Sequence, residues 1–328
     1  MNRTAWILAG LFVVIVVVII FMLGNGEEGD GTTTTASAPS TSLAGSTAPG
    51  AGPSTTVGAT TTTSSATTTT TLTTTTTTAA VEGSWSDTPL IVTGPGALGW
   101  WDGSGWVQAD QGTTLPVAGG EDYQVAYLGL EVIIPGGEPT TVCEPLDNPG
   151  IVLEDEAVLG DWPGPLGVAI SASWLLVPHL VEEIEDDGTY AALTAEMLAE
   201  RGLNVPEPPI KQLLQVDLEG DGVNEVLVVA EDVTAGLFAE DGDYSIAFMR
   251  RTVQGDVQTA ILGESVIVTA DSPVVNSYSV AAVADLNGDG RMEVVLTTAY
   301  YEGIGVEVWE YVNDDQGLVP QISMGCGV

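Results

Sequence analysis

The stretch VADLNGDGRMEVVL, residues 283–296, places oxygen-bearing side chains at alternate positions around a glycine-rich bend. Asp285, Asn287 and Asp289 carry the first three, and Glu293 carries the last. Valine, alanine and leucine flank the bend on both sides, which predicts a strand before it and another after it. The stretch therefore predicts two strands joined by a loop whose polar side chains point to one centre.

The same pattern occurs once more, earlier in the chain. VDLEGDGVNEVLVVA begins at Val216 and aligns with ADLNGDGRMEVVLTT, which begins 68 residues later at Ala284. Of the ten positions that begin at Asp217 and Asp285, seven are identical, and the two glycines are among them. A spacing that recurs with its glycines is a much stronger signal than a single occurrence.

Alternating oxygen ligands in a short loop suit Ca²⁺, which takes six to eight oxygens at about 2.3–2.6 Å. Gly222 and Gly290 follow the third ligand, where the chain must bend sharply. We predict Ca²⁺ sites in residues 217–225 and 285–293, with solvated acidic turns as the alternative. The predicted ligands are Asp217, Glu219, Asp221, the carbonyl of Val223 and Glu225 in the first loop, and Asp285, Asn287, Asp289, the carbonyl of Arg291 and Glu293 in the second.

The loops are not EF-hands, which need a bidentate glutamate at position 12 and flanking helices. Position 12 is Val228 in one loop and Leu296 in the other. The loops instead resemble the FG-GAP calcium-loop repeats of integrin α-subunit propellers and of bacterial VCBS-type proteins. The resemblance implies strand–calcium loop–strand hairpins in a propeller-like or related β-rich domain, in which the ion stabilises the turn.

The rest of the folded part is predicted to be mainly β with one helical insert. TYAALTAEMLAERG has helical periodicity, with Thr189 as the N-cap and Gly202 just past the last turn. GWWDGSGWVQ, residues 99–108, predicts a hairpin that turns at DGSG, and YQVAYLGLEVII predicts a strand that ends in a turn at PGGEP, residues 135–139. Eight strand-like runs follow the helix, from IKQLLQVDL at Ile210 onward.

The N-terminal residues predict a membrane anchor. Ala5 to Leu23 carries no charge and is long enough to cross a bilayer as a helix. Arg3 precedes this run and acidic residues follow it, which favours a cytoplasmic N-terminus. We predict a cytoplasmic stub at 1–4 and a single-pass anchor at 5–24, with a cleaved signal peptide as the alternative.

Residues 25–84 are almost entirely Thr, Ser, Ala, Gly and Pro, which predicts a disordered extracytoplasmic stalk. Residues 85–328 are left as one extracytoplasmic domain. Cys143 and Cys326 are the only cysteines, and outside the cytoplasm an even pair predicts a disulfide. The formal net charge of −39 excludes nucleic acid as a partner, since binding it requires cationic side chains.

No catalytic motif accompanies the one histidine, His179, which is predicted to be a core or half-buried residue of an apolar run. Trp100, Trp101 and Trp106 flank the DGSG turn and are the candidate ligand-contact aromatics, with core packing as the alternative. We predict a membrane-anchored, calcium-stabilised binding or adhesion-type module without catalysis, which takes a protein or glycan ligand. The alternatives are a glycan-active enzyme that uses Asp and Glu residues, and a purely structural cell-envelope protein.

Overall fold

The computed structural model describes residues 82–327 except 128–129, 145, 161–165, 235–237 and 270–273. The predicted anchor at 5–24 and nearly all of the predicted stalk lie outside these residues. Within the part of the chain that the structure describes, no helix is long and apolar enough to span a bilayer. Ser84, the last residue of the predicted stalk, exchanges two hydrogen bonds with Asp122 of the folded domain.

The first sheet has seven antiparallel strands in the order β3-β2-β1-β7-β4-β5-β6. Its β2–β3 hairpin places Trp101 opposite Trp106 across the DGSG turn, which confirms the predicted hairpin. A short 3-10 helix, Glu156–Leu159, follows the sixth strand. The strands are β1 Leu90–Thr93, β2 Gly96–Trp101, β3 Trp106–Gln108, β4 Asp122–Tyr127, β5 Leu130–Val142, β6 Asn148–Leu153 and β7 Val168–Ile170.

The predicted turn at PGGEP is wrong. The chain reverses earlier, between β4 and β5, and residues 135–139 lie inside β5. This strand pairs with β4 as far as Pro135 and with β6 from Gly136 onward, with a register shift before Pro139. Gly136 serves close packing here, because a Cβ at that position would overlap the buried ring of Tyr123.

The second sheet has five antiparallel strands in the order β12-β11-β10-β9-β8. All the strands predicted after the helix in this region are present as β9 to β12. A further strand, β8, precedes the predicted helix, α1. The elements are β8 Val181–Glu183, α1 Thr189–Glu200, β9 Ile210–Val216, β10 Glu225–Asp232, β11 Tyr244–Val253 and β12 Asp256–Val266.

Helix α1 begins one residue earlier than its predicted cap implies. Gly188 is the N-cap, with a φ of 96°, and Thr189 is already helical. The carboxylate of Asp186 accepts hydrogen bonds from the N–H groups of Tyr190 and Ala191, so it satisfies first-turn donors from outside the helix. At the other end Gly202, with a φ of 90°, follows the last turn as predicted.

The third sheet is a four-stranded antiparallel meander in the order β13-β14-β15-β16. The sequence repeat now has a structural meaning, because each loop of the repeat joins the first two strands of such a meander. The units β9-β10-β11-β12 and β13-β14-β15-β16 therefore correspond strand for strand, which is consistent with a propeller-like fold. The strands of the third sheet are β13 Ser277–Ala284, β14 Glu293–Tyr300, β15 Gly303–Asn313 and β16 Gly317–Gly327.

The third sheet is buried on both faces, between the first and second sheets. On β14, Val295 belongs to the core shared with the first sheet, whereas Val294 and Leu296 belong to the core shared with the second. This alternation is the two-residue period of a strand. Helix α1 covers the other face of the second sheet, where Leu198 packs in a cluster with Phe248.

The predicted disulfide is present. Cys143 follows β5 and Cys326 lies in β16, with Cα atoms 5.7 Å apart, so the bond links the first sheet to the third. It joins residues 183 positions apart in the sequence.

We expect the Cys143→Ser/Cys326→Ser double variant to lose about 2–4 kcal/mol of unfolding free energy, because the open chain gains entropy in its unfolded state. Urea unfolding with and without reductant measures this loss. Reductant should destabilise the wild type and leave the variant unchanged. Equal midpoints for the oxidised wild type and the variant would contradict the expectation.

Candidate functional site

The second repeat loop, between β13 and β14, is organised around Asp285. Its two carboxylate oxygens accept hydrogen bonds from the N–H groups of Gly288 and Gly290, at 2.6 and 3.0 Å. These two glycines have φ values of 81° and 87°, a region that side chains disfavour. The glycines therefore let the chain wrap around a carboxylate that is only 4% exposed.

Of the other predicted ligands of this loop, Glu293 is buried, Asn287 is half-buried and Asp289 is exposed. Glu293, 1% exposed, accepts a hydrogen bond from the Leu286 N–H at 2.6 Å and another from the Asn287 side-chain amide at 3.2 Å. Asp289 accepts from the Arg291 N–H at 2.8 Å. A side-chain hydrogen bond of this loop connects Asn287 to Glu293, while the Arg291 side chain reaches away toward the Tyr311 carbonyl.

The first repeat loop, between β9 and β10, repeats this pattern. Asp217 accepts from the N–H groups of Asp221 and Gly222, at 3.0 and 2.8 Å. Glu225, 3% exposed, accepts from the Leu218 N–H at 3.1 Å, as Glu293 does from Leu286. Leu218 and Leu286 are both buried in the core, as the repeat predicts.

Burial disfavours the ionised form of these carboxylates. It raises the pKa of Glu225 to about 7 and that of Asp285 to about 6, and it raises the pKa of Glu293 well above its ordinary value. Negative charges of neighbouring loop residues raise these pKa values further. Within the described residues no lysine or arginine forms an ion pair with a loop carboxylate. A bound cation would supply the missing positive charge.

The donor set fits Ca²⁺, because every predicted ligand atom is an oxygen. One oxygen of Glu219 is buried without a hydrogen-bond partner in the described structure, as expected of a metal ligand. No three His, Cys, Asp or Glu side chains of the described residues are grouped closely enough to hold a metal. The loop carboxylates are engaged by backbone N–H groups, but an ionised carboxylate has about four acceptor positions and keeps some for a cation.

His179 lies beside both repeat loops. Its Nε2 is 3.1 Å from the Gly290 carbonyl oxygen, and its ring is half-buried, as predicted. Trp174, which the sequence did not single out, donates its indole N–H to the Asp285 carbonyl at 2.9 Å.

The three predicted ligand-contact tryptophans are all half-buried. Trp100 packs against the core of the first sheet, and Trp106 packs against the core between the first and third sheets. The Trp106 indole also donates a hydrogen bond to Glu310 at 2.9 Å, and its ring meets that of Trp101 edge-on at 5.5 Å. Core packing thus accounts for most of the contacts of Trp100 and Trp106.

A cleft of about 930 Å³ lies at the opposite end of the second and third sheets from the repeat loops. Two tyrosine rings, Tyr278 and Tyr300, line it together with the carboxylates Glu264 and Glu307. Glycines and apolar side chains form much of its wall, and side-chain hydroxyl and amide groups lie among them. These further lining residues include Gly305, Gly325, Asn276, Thr298 and Ser323.

An exposed row of aromatic rings leads to this cleft. Phe238 and Tyr301 are 64% and 37% exposed, and their ring centroids are 6.3 Å apart. Tyr301 in turn meets Tyr300 of the cleft edge-on at 6.4 Å. The pair YY in the sequence was a weak signal of this surface, but Phe238 comes from the loop between β10 and β11 and gave none.

Residues 276–319 match the family model of the FG-GAP repeat. The matched segment contains the whole second loop and runs into β16, so the predicted resemblance to FG-GAP-like repeats is confirmed. FG-GAP repeats are often calcium-binding and indicate a β-propeller-type binding or adhesion module. No curated protein and no solved structure matches the chain.

We expect the calcium-free protein to lose thermal stability as the pH rises from about 5 to about 8. The folded-state pKa of Glu225, about 7, exceeds the ordinary value of 4.5, so the folded state holds its proton more tightly than the unfolded state does. The resulting stabilisation of the folded state is fully present at low pH and is lost as the pH rises through the folded-state pKa.

Thermal melts of metal-stripped protein across this pH range measure the effect. The variants Glu225→Gln and Glu293→Gln remove the titrating groups and should flatten the profile. Stability that rises with pH in the metal-free protein would show that these carboxylates are not held protonated in the fold.

Proposed function

We propose that the protein is a membrane-anchored extracytoplasmic binding module whose scaffold is stabilised by Ca²⁺. The observation that carries the proposal is the pair of matching acidic loops, each set between the first two strands of a four-stranded meander. The FG-GAP match of the second unit supports a binding or adhesion role.

Calcium acts in this proposal as part of the scaffold. Extracellular Ca²⁺ modules bind the ion with dissociation constants of roughly 10⁻⁴–10⁻³ M, so ambient calcium keeps such sites occupied. Glu225 and Glu293 are the first residues of β10 and β14, so an ion held by them also fixes where those strands begin.

The cleft and its aromatic row form the proposed ligand surface. Flat rings such as that of Tyr300 stack on the apolar face of a sugar or on a side chain of a protein. The carboxylates and hydroxyls beside them accept or donate hydrogen bonds at the polar edge. Ligand sites commonly combine apolar walls with a few polar groups in this way.

The alternative of a glycan-active enzyme would have to use the two carboxylates of the cleft. A glycoside hydrolase needs one carboxyl group that is protonated at working pH and one that is ionised. Glu264 is held at 2.5 Å by Arg201, so it suits only the ionised role, and the proton donor of such an enzyme would have to be Glu307.

The anchor at 5–24 and the stalk at 25–84 complete the proposal. The anchor would hold the N-terminus in the cytoplasm, and the stalk would carry the folded domain away from the outer face of the membrane. The acidic domain then presents its cleft to a protein or glycan at the cell surface.

Thermal melts of the full chain in 10 mM Ca²⁺ and in EDTA test the calcium role. Each occupied site should add about 1.4–2.7 kcal/mol at the affinities expected for extracellular modules, or roughly 3–10 °C in Tm. Asp221→Asn and Asp289→Asn keep an acceptor for the turn hydrogen bond but remove a charged ligand, so each should abolish part of the gain.

Asp256→Asn is the matched control, because Asp256 is exposed in the β11–β12 turn at the same end of the sheets. It should keep the full response to calcium. Equal Tm values in calcium and EDTA for the wild type would rule out a calcium-stabilised scaffold.

Binding assays with soluble oligosaccharides and a lysine-rich peptide test the ligand surface. Phe238→Ala and Tyr301→Ala should weaken a bound probe at least roughly tenfold, as expected for aromatic anchors. Both side chains are exposed, so the fold should tolerate their removal.

Trp101→Ala serves as the comparison, because Trp101 belongs to the other candidate group of aromatics. If Trp101→Ala loses binding while the other two variants keep it, the ligand surface lies at the DGSG hairpin and not at the cleft. The absence of any bound probe would favour a purely structural envelope protein.

A further inference from the structure

The two repeat loops touch each other directly. The Met292 N–H of the second loop donates a hydrogen bond to the Leu218 carbonyl of the first, at 2.8 Å. Leu218 lies next to Asp217 and Glu219, and Met292 lies next to Glu293, all of them predicted ligands. A shift of the backbone in one loop is therefore passed to the ligands of the other.

A single stretch of chain also lies against both loops. Residues 171–180 connect β7 of the first sheet to β8 of the second, and we name them the connecting segment. Its Leu176 carbonyl accepts a hydrogen bond from the Asp285 N–H at 2.7 Å, and its Trp174 indole donates to the Asp285 carbonyl. The same indole ring covers Gly288, where a Cβ would come within 3.3 Å of it. The segment thus holds the first ligand of the second loop from two sides.

His179 joins the two loops through one imidazole ring. Its Nε2 is 3.1 Å from the Gly290 carbonyl oxygen in the second loop. The same ring lies against Gly220 of the first loop, where a Cβ would come within 2.8 Å of Nε2. Because a carbonyl only accepts hydrogen bonds, Nε2 carries the proton in this contact.

Because of these contacts, the conformation of one loop is easier to fix when the conformation of the other is already fixed. A loop of like charges is costly to hold in its binding conformation, and a bound ion offsets that cost. When the two loops share a hydrogen bond and a common imidazole, the first ion orders part of the second site. The second ion then binds at a lower cost in conformational entropy, which is positive cooperativity.

We infer that the two loops bind Ca²⁺ as one cooperative pair, coupled by His179 and by the Leu218–Met292 hydrogen bond. This inference rests on the proposed calcium role and adds that the sites are not independent. His179 is a positioning residue in it, since it touches the backbone of both loops and no ion. Coupling between sites commonly changes affinity by about 5- to 150-fold.

Equilibrium dialysis of the full chain against ⁴⁵Ca²⁺, with no other ligand, gives both the number of ions and their affinities. We expect two ions with a Hill coefficient above 1. We also expect Asp221→Asn, which disables the first loop, to weaken the second loop at least about fivefold, and Asp289→Asn to do the converse. Asp256→Asn removes a charge from the same end of the sheets and should leave both affinities unchanged.

Variants of the connecting segment separate coupling from folding. His179→Ala should still bind two ions but with a Hill coefficient near 1. His179→Gln keeps a donor for the Gly290 carbonyl and should retain the cooperativity. Leu180→Ala is the matched control, because Leu180 is the next residue and is 78% exposed.

The outcomes distinguish this inference from the proposed function. Two ions bound independently, with each loop unaffected by loss of the other, would overturn the coupling and leave the calcium scaffold intact. No bound ion in the wild type would overturn both. Cooperativity that persists in His179→Ala would overturn the role of the imidazole.

Discussion

The structure of the two repeat loops depends on a carboxylate that is buried at the start of the strand after each loop. Glu225 and Glu293 open β10 and β14 at 3% and 1% exposure, and an ionised carboxylate away from water is costly unless its charge is balanced. One backbone N–H reaches each of them, from Leu218 and Leu286. This balances only part of the charge, so each loop must either keep a proton or hold a cation. The glycine bends that wrap the chain around Asp285 follow from the same requirement.

The layered packing depends on the third sheet, which is covered on both faces. Its alternating residues serve two different cores, one shared with the first sheet and one with the second. Strands β9 to β12 of the second sheet are connected in the same order as the strands of the third sheet, but the second sheet packs against another sheet on one face. Helix α1 covers its other face. Two similar sequence units thus occupy different environments. The disulfide from Cys143 to Cys326 then links the third sheet to the first.

The two ends of the sheets suit different tasks. The repeat loops gather buried acidic groups and tight backbone contacts, which are the properties of a scaffold element. The opposite end carries an open cleft with tyrosine rings and an exposed aromatic row that includes Phe238 and Tyr301. A protein that must keep its binding surface constant gains from placing its stabilising ions away from it. The proposed function divides the molecule in this way.

The local features of this protein could be read from its sequence. The spacing in residues 217–225 and 285–293 predicted the strand–loop–strand units, and cysteine parity predicted the disulfide. The first prediction depends on residues that are close in sequence, and the second depends on the even number of cysteines. The turn at residues 135–139 was mispredicted because the fully buried ring of Tyr123, on a different strand, leaves room only for glycine at position 136. His179 lies 111 positions from Gly290, and the cleft combines Leu146 with residues in or next to five strands, β12 to β16. Only tertiary packing decided such contacts, because a local pattern does not specify which distant group will fill the space beside it.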